Sequence, residues 1–331
     1  MSNLDRAILI LGTEDDPHVS RVSKRLQSHF KANVITLDYL NGVKFSCSLN
    51  QHNELKVVID GQVLPKKLLI WDRDKILPGT HAYLKGDDNN SKHWAAREWK
   101  ALFKLLSGFN KSYTINTLEA KSCLLKPYQQ IIAHDSGFCT PTTLITNHKQ
   151  DLIRFSEESQ SGLIMKSLSG GNFVKVHDDG SESYQNVMTM RVSESTIREL
   201  DEQDLQYHPH FFQNEIDKEY ELRVVVINQD IFAFSINSQE SSLTELDWRR
   251  GISKLDYELI KLPESTISCI NKFMKNMKLF TGSLDLIVDK KGQTFFIECN
   301  QDGAWGWLDD VLSGDIANSF AKNIFQRLSE L

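Results

Sequence analysis

The chain has 331 residues, of which 40% are hydrophobic and 25% are charged. This is the composition of an ordinary globular protein with two or three domains, and it excludes a disordered tail protein and a fibrous repeat. Lys and Arg number 38 and Asp and Glu number 44, so the formal net charge is −6. A negative balance argues against broad non-specific binding of nucleic acid, which requires a net basic surface.

The N-terminal residues and the cysteines predict a cytoplasmic protein with no membrane segment. The apolar run 7–11 is short and acidic residues follow it, so it predicts a β-strand rather than a signal peptide. No stretch approaches the roughly 20 apolar residues of a membrane span. The cysteines are scattered and lack a C-x-x-C pair, which favours free thiols in a reducing compartment. They are Cys47, Cys123, Cys139, Cys269 and Cys299.

The first third of the chain predicts an open parallel sheet with helices. Two short apolar strands flank a helical segment in the β-α-β order typical of such sheets. Asp60 and Gly61 form a two-residue turn signal inside a polar hairpin, and a buried strand and an amphipathic helix follow. The predicted strands are 7–11, 34–37, 55–60, 62–64 and 68–71, and the predicted helices are 19–30 and 92–106.

The remaining two thirds predict two α+β units. The central unit has predicted helices 119–136, ended by Gly137, and 150–159, with extended segments 140–144, 162–166 and 173–176. The last unit has predicted strands 211–216, 221–227, 231–235, 282–288 and 294–299 and a helix 263–277. Glycine and polar residues at 107–112 mark the first boundary. We therefore predict an N-terminal α/β domain over 1–115, a central domain over 116–200 and a C-terminal domain over 201–331.

Three oxygen-bearing side chains lie on the last two predicted strands. Asp285 and Glu298 can lie on one face of adjacent antiparallel strands, and the two-residue period of a strand places Asn300 on the same face as Glu298. Carboxylate and amide oxygens are hard ligands of the kind that Mg²⁺ prefers. Solvent-facing polar residues would give the same pattern, but the neighbours of Asp285 and Glu298 are apolar on both sides. The pattern therefore predicts a Mg²⁺ site.

Two lysines are candidates for binding phosphate. Lys166 ends an apolar strand and immediately precedes a loop that contains Gly170 and Gly171, whose missing side chains allow the backbone to approach a phosphate. Such a loop on its own is usually a plain hairpin turn. The predicted carboxylate cluster supports a phosphate-binding role for Lys166 and this loop. Lys126 is the second candidate cation.

A polar connector joins two strands in the third part of the chain. Backbone groups of such a connector can contact a nucleobase, and a carboxylate in it can contact a ribose. A charged surface loop would have the same sequence, and the connector alone favours that interpretation. The residues concerned are Gln213, Asn214, Ile216, Asp217, Glu221 and Arg223, the last two on one face of the second strand.

From about residue 118 to residue 331, the order and spacing of these residues resemble those of the ATP-grasp superfamily. The resemblance implies an ATP-grasp fold preceded by an open-sheet domain of the pre-ATP-grasp type. It also implies two lysines on the phosphates of ATP, an Asp, Glu and Asn trio on magnesium, and activation of a carboxylate as an acylphosphate. By this likeness Asn214 and Ile216 contact adenine through their backbones, and Glu221 or Asp217 contacts ribose.

Three further features are similar to the graspetide synthetases, the microviridin-type enzymes that close side-chain ester or amide rings in ribosomal peptides. They are the strand 221–225 that leads into a hairpin, the triplet Asp247, Trp248 and Arg249, and the segment 300–307. The resemblance implies a precursor peptide with a leader and a core as partner, and it implies a homodimer. It places the triplet near the acidic side chain of the core peptide.

One position departs from the wider superfamily. Many small-molecule ATP-grasp ligases have an arginine two residues before the magnesium aspartate, where it stabilises the oxyanion, but here that residue is Ser283. Arg223 or Arg249 would have to supply the charge, so both are predicted catalytic residues.

Arg73 is a further candidate for contact with the substrate. It follows a predicted parallel strand, at the edge where open sheets bind ligands. It can contact an anionic substrate there, or it can form an ion pair with Asp72 or Asp74.

The sequence thus predicts a ligase that uses ATP and Mg²⁺ to phosphorylate an Asp or Glu side chain of a precursor peptide. A Thr, Ser or Lys side chain of the same peptide then attacks the acylphosphate and closes a ring. The main alternative is a RimK-like ligase that adds an amino acid to a protein or a small carboxylate. A protein that binds peptide or nucleotide without catalysis is a further alternative, against which the complete Asp285, Glu298 and Asn300 trio counts.

Overall fold

The computed structural model describes residues 5–52, 54–73, 89–109, 113–122, 125–159, 161–177 and 182–331. This part of the chain contains a parallel N-terminal sheet, a central antiparallel sheet and a C-terminal antiparallel sheet, with two smaller antiparallel sheets beside them. The predicted mixture of α/β and α+β structure is therefore confirmed. None of the described helices is both long enough and apolar enough to cross a membrane. Asp74 and Cys123 lie outside the described residues.

The N-terminal part begins with the predicted β-α-β unit. Its elements are β1 (Arg6–Gly12), α1 (Pro17–Phe30), β2 (Val34–Asp38), β3 (Phe45–Leu49), β4 (Leu55–Ile59), β5 (Gln62–Val63), β6 (Lys67–Asp72), α2 (Asn89–Phe109) and β7 (Thr114–Ile115). The parallel sheet has the order β2-β1-β6-β7, and β3, β4 and β5 form an antiparallel sheet. Asp60 and Gly61 have φ values of 49° and 82°, as a two-residue hairpin turn requires.

Different helices cover the two faces of the parallel sheet. Ile8 and Ile10 pack with α1 and with α10 (Asp315–Ser329), the last helix of the chain. Leu9 and Leu11 pack with α2 and the small antiparallel sheet. Because successive side chains of a strand point to opposite faces, one continuous apolar run fills both cores.

The central part consists of a four-stranded sheet, a hairpin and short helices. Its elements are α3 (Leu118–Ser122), α4 (Lys126–Asp135), β8 (Thr143–Thr146), α5 (Lys149–Glu158), β9 (Leu163–Lys166), β10 (Asn172–Val176), β11 (Glu182–Asn186), β12 (Met190–Val192), α6 (Glu194–Glu199), α7 (Glu202–Gln206) and β13 (His210–Asn214). The sheet is antiparallel with the order β12-β9-β13-β8, and β10 pairs with β11.

The predicted single helix over 119–136 is wrong, because the structure has α3 and α4 in its place. Pro127 lies in the first turn of α4. A proline is tolerated there but disrupts a helix interior, since it lacks an N–H group and its ring clashes with the preceding turn. Gly137 follows α4 with a φ of 101°, and it ends the helix as predicted.

The C-terminal part is one five-stranded sheet with helices. Its elements are β14 (Lys218–Ile227), β15 (Asp230–Ile236), β16 (Tyr257–Ile260), α8 (Glu264–Asn276), β17 (Thr281–Asp289), β18 (Thr294–Asn300), α9 (Gly306–Val311) and α10. The sheet is antiparallel with the order β16-β15-β14-β17-β18. Four of these strands and α8 confirm the elements predicted over 221–299.

The two faces of β14 have different chemistry. Leu222 and Val224 pack in a core with residues of α4 and α8. Glu221 and Arg223 lie on the opposite face by strand alternation, and further along that face Val225 packs with α10. This face of the sheet is therefore buried at all three residues, but it is polar at Glu221 and Arg223 and apolar at Val225.

The central and C-terminal sheets recruit elements from both sides of the predicted boundary at residue 200. β13 lies beyond the predicted boundary at residue 200, yet it pairs with β8 and β9 of the central sheet. α4 lies before that boundary, yet its Gln129 exchanges hydrogen bonds of 2.9 and 2.8 Å with the backbone of Cys299 in β18. The amino-acid composition shows where glycine and polar residues collect, but it does not predict which distant segments pair with one another.

Candidate active site

A cavity between the central and C-terminal sheets holds most of the predicted site residues. β9, β14, β17 and β18 contribute to its walls. Its charged lining comprises the cations Lys126, Lys166, Lys218 and Arg249 and the carboxylates Glu215, Glu221, Asp247, Asp285 and Glu298. A site with both signs of charge can hold a polyanion together with a metal ion.

β17 and β18 bring two of the three predicted metal ligands together. Asp285 lies directly opposite Glu298 in the register of these antiparallel strands, and both line the cavity. Asn300 lies opposite Ser283 at the end of β18, is exposed, and is not part of the cavity lining. The role of Asn300 as a metal ligand stays a prediction.

Cations surround Glu298. Lys126 Nζ lies 3.3 Å from one of its oxygens, and Arg249 Nη1 lies 3.4 Å from the other. Burial acts to raise the pKa of Glu298, but Lys126, Arg249 and Lys166 together hold that pKa below its usual value. Glu298 is therefore ionised at neutral pH, the state in which a carboxylate binds a metal.

Lys166 lies in the same group of charges. Burial is the main reason that its pKa is lowered to about 8, and Lys126 and Arg249 lower it further while Glu298 acts in the opposite direction. A phosphate in the cavity would stabilise the protonated form of this lysine. The position of Lys166 at the end of β9 is the predicted one.

The predicted glycine pair lies away from the cavity lining. Gly170 and Gly171 have φ values of 108° and 82°, which glycine adopts most readily. The Gly171 carbonyl accepts a hydrogen bond of 2.8 Å from the amide of Val187, and this bond closes the base of the hairpin formed by β10 and β11. The pair thus shapes a turn, and its contact with phosphate stays a prediction.

Arg223 holds Asp285 in a buried ion pair. Its Nη1 donates to both carboxylate oxygens, at 2.9 and 3.1 Å, because β14 and β17 place the two residues opposite each other. Burial raises the pKa of Asp285, and Arg223 opposes this effect. Of the two predicted catalytic arginines, Arg249 lines the cavity and Arg223 lies behind Asp285.

Glu221 forms a buried ion pair that sequence reasoning missed. Lys218 Nζ lies 2.7 Å from its carboxylate, and burial raises the pKa of Glu221 while Lys218 opposes this effect. Residues three apart on a regular strand point to opposite faces. An irregularity in β14 between Lys218 and Tyr220 brings this pair together, and the sequence carries no signal for it.

The connector after β13 is only partly exposed to the cavity. Ile216 lines it, whereas Gln213, Asn214 and Asp217 do not. Gln213 is buried inside the central sheet, and the Asn214 amide donates to the carbonyl of Thr142 at 3.0 Å. That amide is already used within the protein, and the predicted backbone contact of Asn214 with adenine stays a prediction. Asp217 forms a surface ion pair at 2.8 Å.

Asp247 orients Arg249 towards the cavity. Its carboxylate accepts from Arg249 Nε at 2.8 Å and from Nη2 at 2.7 Å, which leaves Nη1 to face Glu298. Asp247 and Trp248 are each only 4% exposed, although few apolar residues surround them in the sequence. The Trp248 ring packs against the Arg223 guanidinium at 5.9 Å and against two further aromatic rings.

Arg73 does not line this cavity. It is 4% exposed, and its Nε donates to Asp16 at 2.9 Å while its Nη1 donates to the carbonyl of Asp302 at 2.8 Å. Of the alternative ion pairs with Asp72 or Asp74, Asp74 lies outside the described residues, and the described partner of Arg73 is Asp16, at the start of α1. Contact of Arg73 with substrate stays a prediction.

The carboxylate pair fits a Mg²⁺ ion. An ionised carboxylate has about four lone-pair sites, so Asp285 and Glu298 have further sites beyond their bonds to arginine and lysine. Within the described residues no group of three His, Cys, Asp or Glu side chains is arranged to hold a metal. Mg²⁺ commonly binds one or two carboxylates and takes its other ligands from water and substrate phosphates. The site therefore suits a metal held together with a phosphorylated ligand.

Comparison with known proteins gives matches among solved structures. No family model and no curated protein matches the sequence. The RiPP-associated ATP-grasp ligase of Chryseobacterium gregarium, in complex with ADP and a leader and core peptide, is 24% identical with a TM-score of 0.80, over 98% of this chain and 97% of that one. The macrocyclase MdnC of Microcystis aeruginosa, bound with precursor peptide MdnA, is 21% identical with a TM-score of 0.78, over 97% and 99% of the two chains.

A third solved structure also matches over almost the whole of both chains. The ATP-grasp ligase PsnB, complexed with a phosphomimetic variant of a minimal precursor, Mg and ADP, is 19% identical with a TM-score of 0.75, over 98% of this chain and 99% of that one. Similarity at these identities establishes the fold. The chain has the fold of the ATP-grasp ligases over nearly its whole length, as the resemblance in the sequence predicted.

Proposed function

We propose that this protein is an ATP-dependent ligase that phosphorylates Asp or Glu side chains of a ribosomal precursor peptide and closes ω-ester or ω-amide rings within it. The observation that carries the proposal is the cavity in which Glu298 lies between Lys126 and Arg249 and opposite Asp285. Groups suited to phosphate, metal and carboxylate thus share one site. The fold neighbours, by their names, are ligases or a macrocyclase solved with precursor peptides.

ATP would bind with its phosphates between Lys126 and Lys166, with its adenine at Ile216 and its ribose at Glu221. Mg²⁺ would be held by Asp285 and Glu298, with Asn300 as the third proposed ligand. When bound, the metal supplies positive charge that neutralises the transferred phosphoryl group. The remaining contribution of the chain is positioning and electrostatic stabilisation.

The reaction has two steps. The peptide carboxylate attacks the γ-phosphorus of ATP, the bond to the bridging oxygen breaks, and ADP leaves. A hydroxyl or amine of the same peptide then attacks the acyl carbon, phosphate leaves with the bonding electrons, and the nucleophile gives up its proton. Arg249 holds the acceptor carboxylate and then faces the oxyanion, and binding both groups in one site makes ring closure effectively intramolecular.

We further propose that a leader and a core peptide are the partner, that the enzyme is a homodimer, and that it works in the cytoplasm. The resemblance to graspetide synthetases supports the first two. The third is supported by the free thiols Cys47, Cys139, Cys269 and Cys299, which suit a reducing compartment.

Co-expression with each short open reading frame that flanks the gene tests the proposal by intact mass. Each ring removes one water from the peptide, and fragmentation should locate every link between an acidic side chain and a Thr, Ser or Lys side chain. A peptide or protein that gains an amino-acid residue would support the RimK-like alternative instead. No modification of any peptide and no ADP release would contradict the ligase itself.

Lys126→Ala and Lys166→Ala are each expected to weaken ATP binding about ten- to a hundredfold, because a hydrogen bond to a charged group contributes about 1.5–3 kcal/mol. Calorimetry with ATP and Mg²⁺ measures the change. Lys272→Ala is the matched control, since Lys272 is exposed on α8 and should bind ATP like the wild type. Unchanged affinity in both cavity variants would remove these lysines from the site.

ATP affinity is also expected to fall as the pH rises above about 8. Only the protonated lysine binds phosphate as a cation, and the pKa of Lys166 is about 8. Its contribution to binding is therefore fully present below that pH and is lost above it. Calorimetry across this range should show the decline in the wild type, should show it at higher pH in Lys126→Ala because Lys126 lowers the pKa of Lys166, and should not show it in Lys166→Met. A decline of the same size in Lys166→Met would assign it to another group.

A further inference from the structure

The loop between β18 and α9 lies against the back of the carboxylate pair. The carbonyl of Ala304 accepts from Arg223 Nη2 at 3.0 Å, while Nη1 of the same guanidinium holds Asp285. Gly303 passes so close that a Cβ there would lie 2.4 Å from Ser283 Cβ and 2.8 Å from Arg223 Nη2. The loop and the guanidinium thus fix each other's positions.

His18 holds this loop from the N-terminal part of the chain. Its Nε2 accepts hydrogen bonds from the amides of Trp305 at 3.0 Å and Gly306 at 3.1 Å. Since Nε2 accepts twice, the ring proton lies on Nδ1, which is 2.6 Å from Asp16 Oδ1. The ring is buried and packs edge-on against Trp305, with centroids 4.6 Å apart.

Further hydrogen bonds fix the Asp16 carboxylate, and this carboxylate in turn fixes the orientation of the His18 ring. The carboxylate also accepts from the His18 amide at 2.8 Å, as the cap of α1, and from Arg73 Nε at 2.9 Å. Arg73 Nη1 donates to the carbonyl of Asp302 at 2.8 Å, and Lys121 Nζ lies 3.2 Å from the Asp302 carboxylate. These contacts attach the loop to the end of the parallel sheet.

We propose that His18 is a positioning residue of the active site. Through the amides of Trp305 and Gly306 it fixes the loop, and through the Ala304 carbonyl the loop fixes Arg223 against Asp285. Without His18 two buried amides lose their acceptor, so the loop moves and Asp285 loses its defined position. This inference rests on the proposed role of Asp285 in holding Mg²⁺ with the nucleotide.

The test compares His18→Ala with His18→Gln, whose amide oxygen can accept from both backbone amides. In His18→Ala, hydrogen exchange of the segment 301–307 should be at least about tenfold faster, and Mg²⁺ affinity measured calorimetrically with ADP should be about tenfold weaker. His18→Gln should stay within about threefold of the wild type in both measurements. If His18→Ala does not fold, His18→Asn takes its place, because its shorter side chain does not reach the amides.

Arg21→Ala is the matched control. Arg21 lies one turn further along α1 and pairs with Asp309 and Asp310 at 2.9 and 2.7 Å, beyond the loop. Its loss should lower stability but leave Mg²⁺ affinity unchanged. Faster exchange in His18→Ala with unchanged Mg²⁺ affinity, or the same loss of affinity in Arg21→Ala, would overturn the proposal. If the wild type itself binds no Mg²⁺ with ADP, the proposed function fails, and the inference fails with it.

Discussion

Glu298→Gln is expected to lower peptide-dependent ADP formation by about a thousandfold while the protein stays folded. The amide keeps the shape of the side chain but removes the charge that is proposed to bind the metal and that Lys126 and Arg249 contact at 3.3 and 3.4 Å. A metal ion contributes several kcal/mol to stabilisation of the transferred phosphoryl group, and each 1.4 kcal/mol is a factor of about ten in rate. Coupled-enzyme detection of ADP measures the loss.

Glu258→Gln provides the matched control for this prediction. Glu258 is exposed on β16, the outermost strand of the same sheet, so the same chemical change there should leave turnover within about twofold, since surface substitutions usually change little. Thermal unfolding of both variants reports on folding. A folded Glu298→Gln protein with near-normal turnover would contradict the metal assignment.

Arg249→Ala is expected to slow ring formation by about a hundredfold while ATP affinity stays near that of the wild type. Its guanidinium offers a planar set of donors that matches a carboxylate, and Asp247 holds it with two hydrogen bonds so that Nη1 faces the cavity. A hydrogen bond between charged groups contributes about 1.5–3 kcal/mol. Arg249→Lys should restore little, because an ammonium group lacks the planar fork. Time-resolved mass spectrometry of the precursor measures the rate.

Arg250→Ala removes the same charge one residue away and serves as the control. Arg250 donates to the carbonyl of Thr189 at 2.7 Å and does not line the cavity, so dehydration of the precursor should proceed near the wild-type rate. If Arg249→Ala also proceeds at that rate, the ion pair of Arg249 with Asp247 is only structural, and the graspetide assignment loses one of its supports.

The sequence predicted the part of the site that follows from strand alternation. Asp285 and Glu298 lie on adjacent antiparallel strands, and the structure pairs them directly, beside an irregularity between Asp285 and Leu286. Lys166 likewise ends a short apolar strand, and β9 brings it to the cavity. In each case the prediction depends only on neighbouring residues, because the alternation of side chains along a strand determines on which face each one lies.

The rest of the site depends on contacts that leave no local pattern. Lys218 faces Glu221 because of an irregularity in β14, and Trp248 is buried against aromatic rings from other elements. β13 joins the central sheet through pairing with β8 and β9 rather than with the strands that follow it. These features depend on contacts between segments that are far apart in the sequence. Neither the composition of a segment nor its hydrophobic periodicity predicts such contacts.

The packing of α10 against β1 and α1 has a consequence for how the chain is made. Phe320 and Ile324 of α10 lie in the same core as Ile8 and Ile10, and Arg6 donates to carbonyls in the last turn of that helix at 3.2 and 3.1 Å. β1 is thus synthesised long before the helix that covers one of its faces. A nascent chain keeps one apolar sheet face open until α10 has been synthesised, so products that terminate before residue 315 should aggregate or be degraded even though they contain every residue of the cavity.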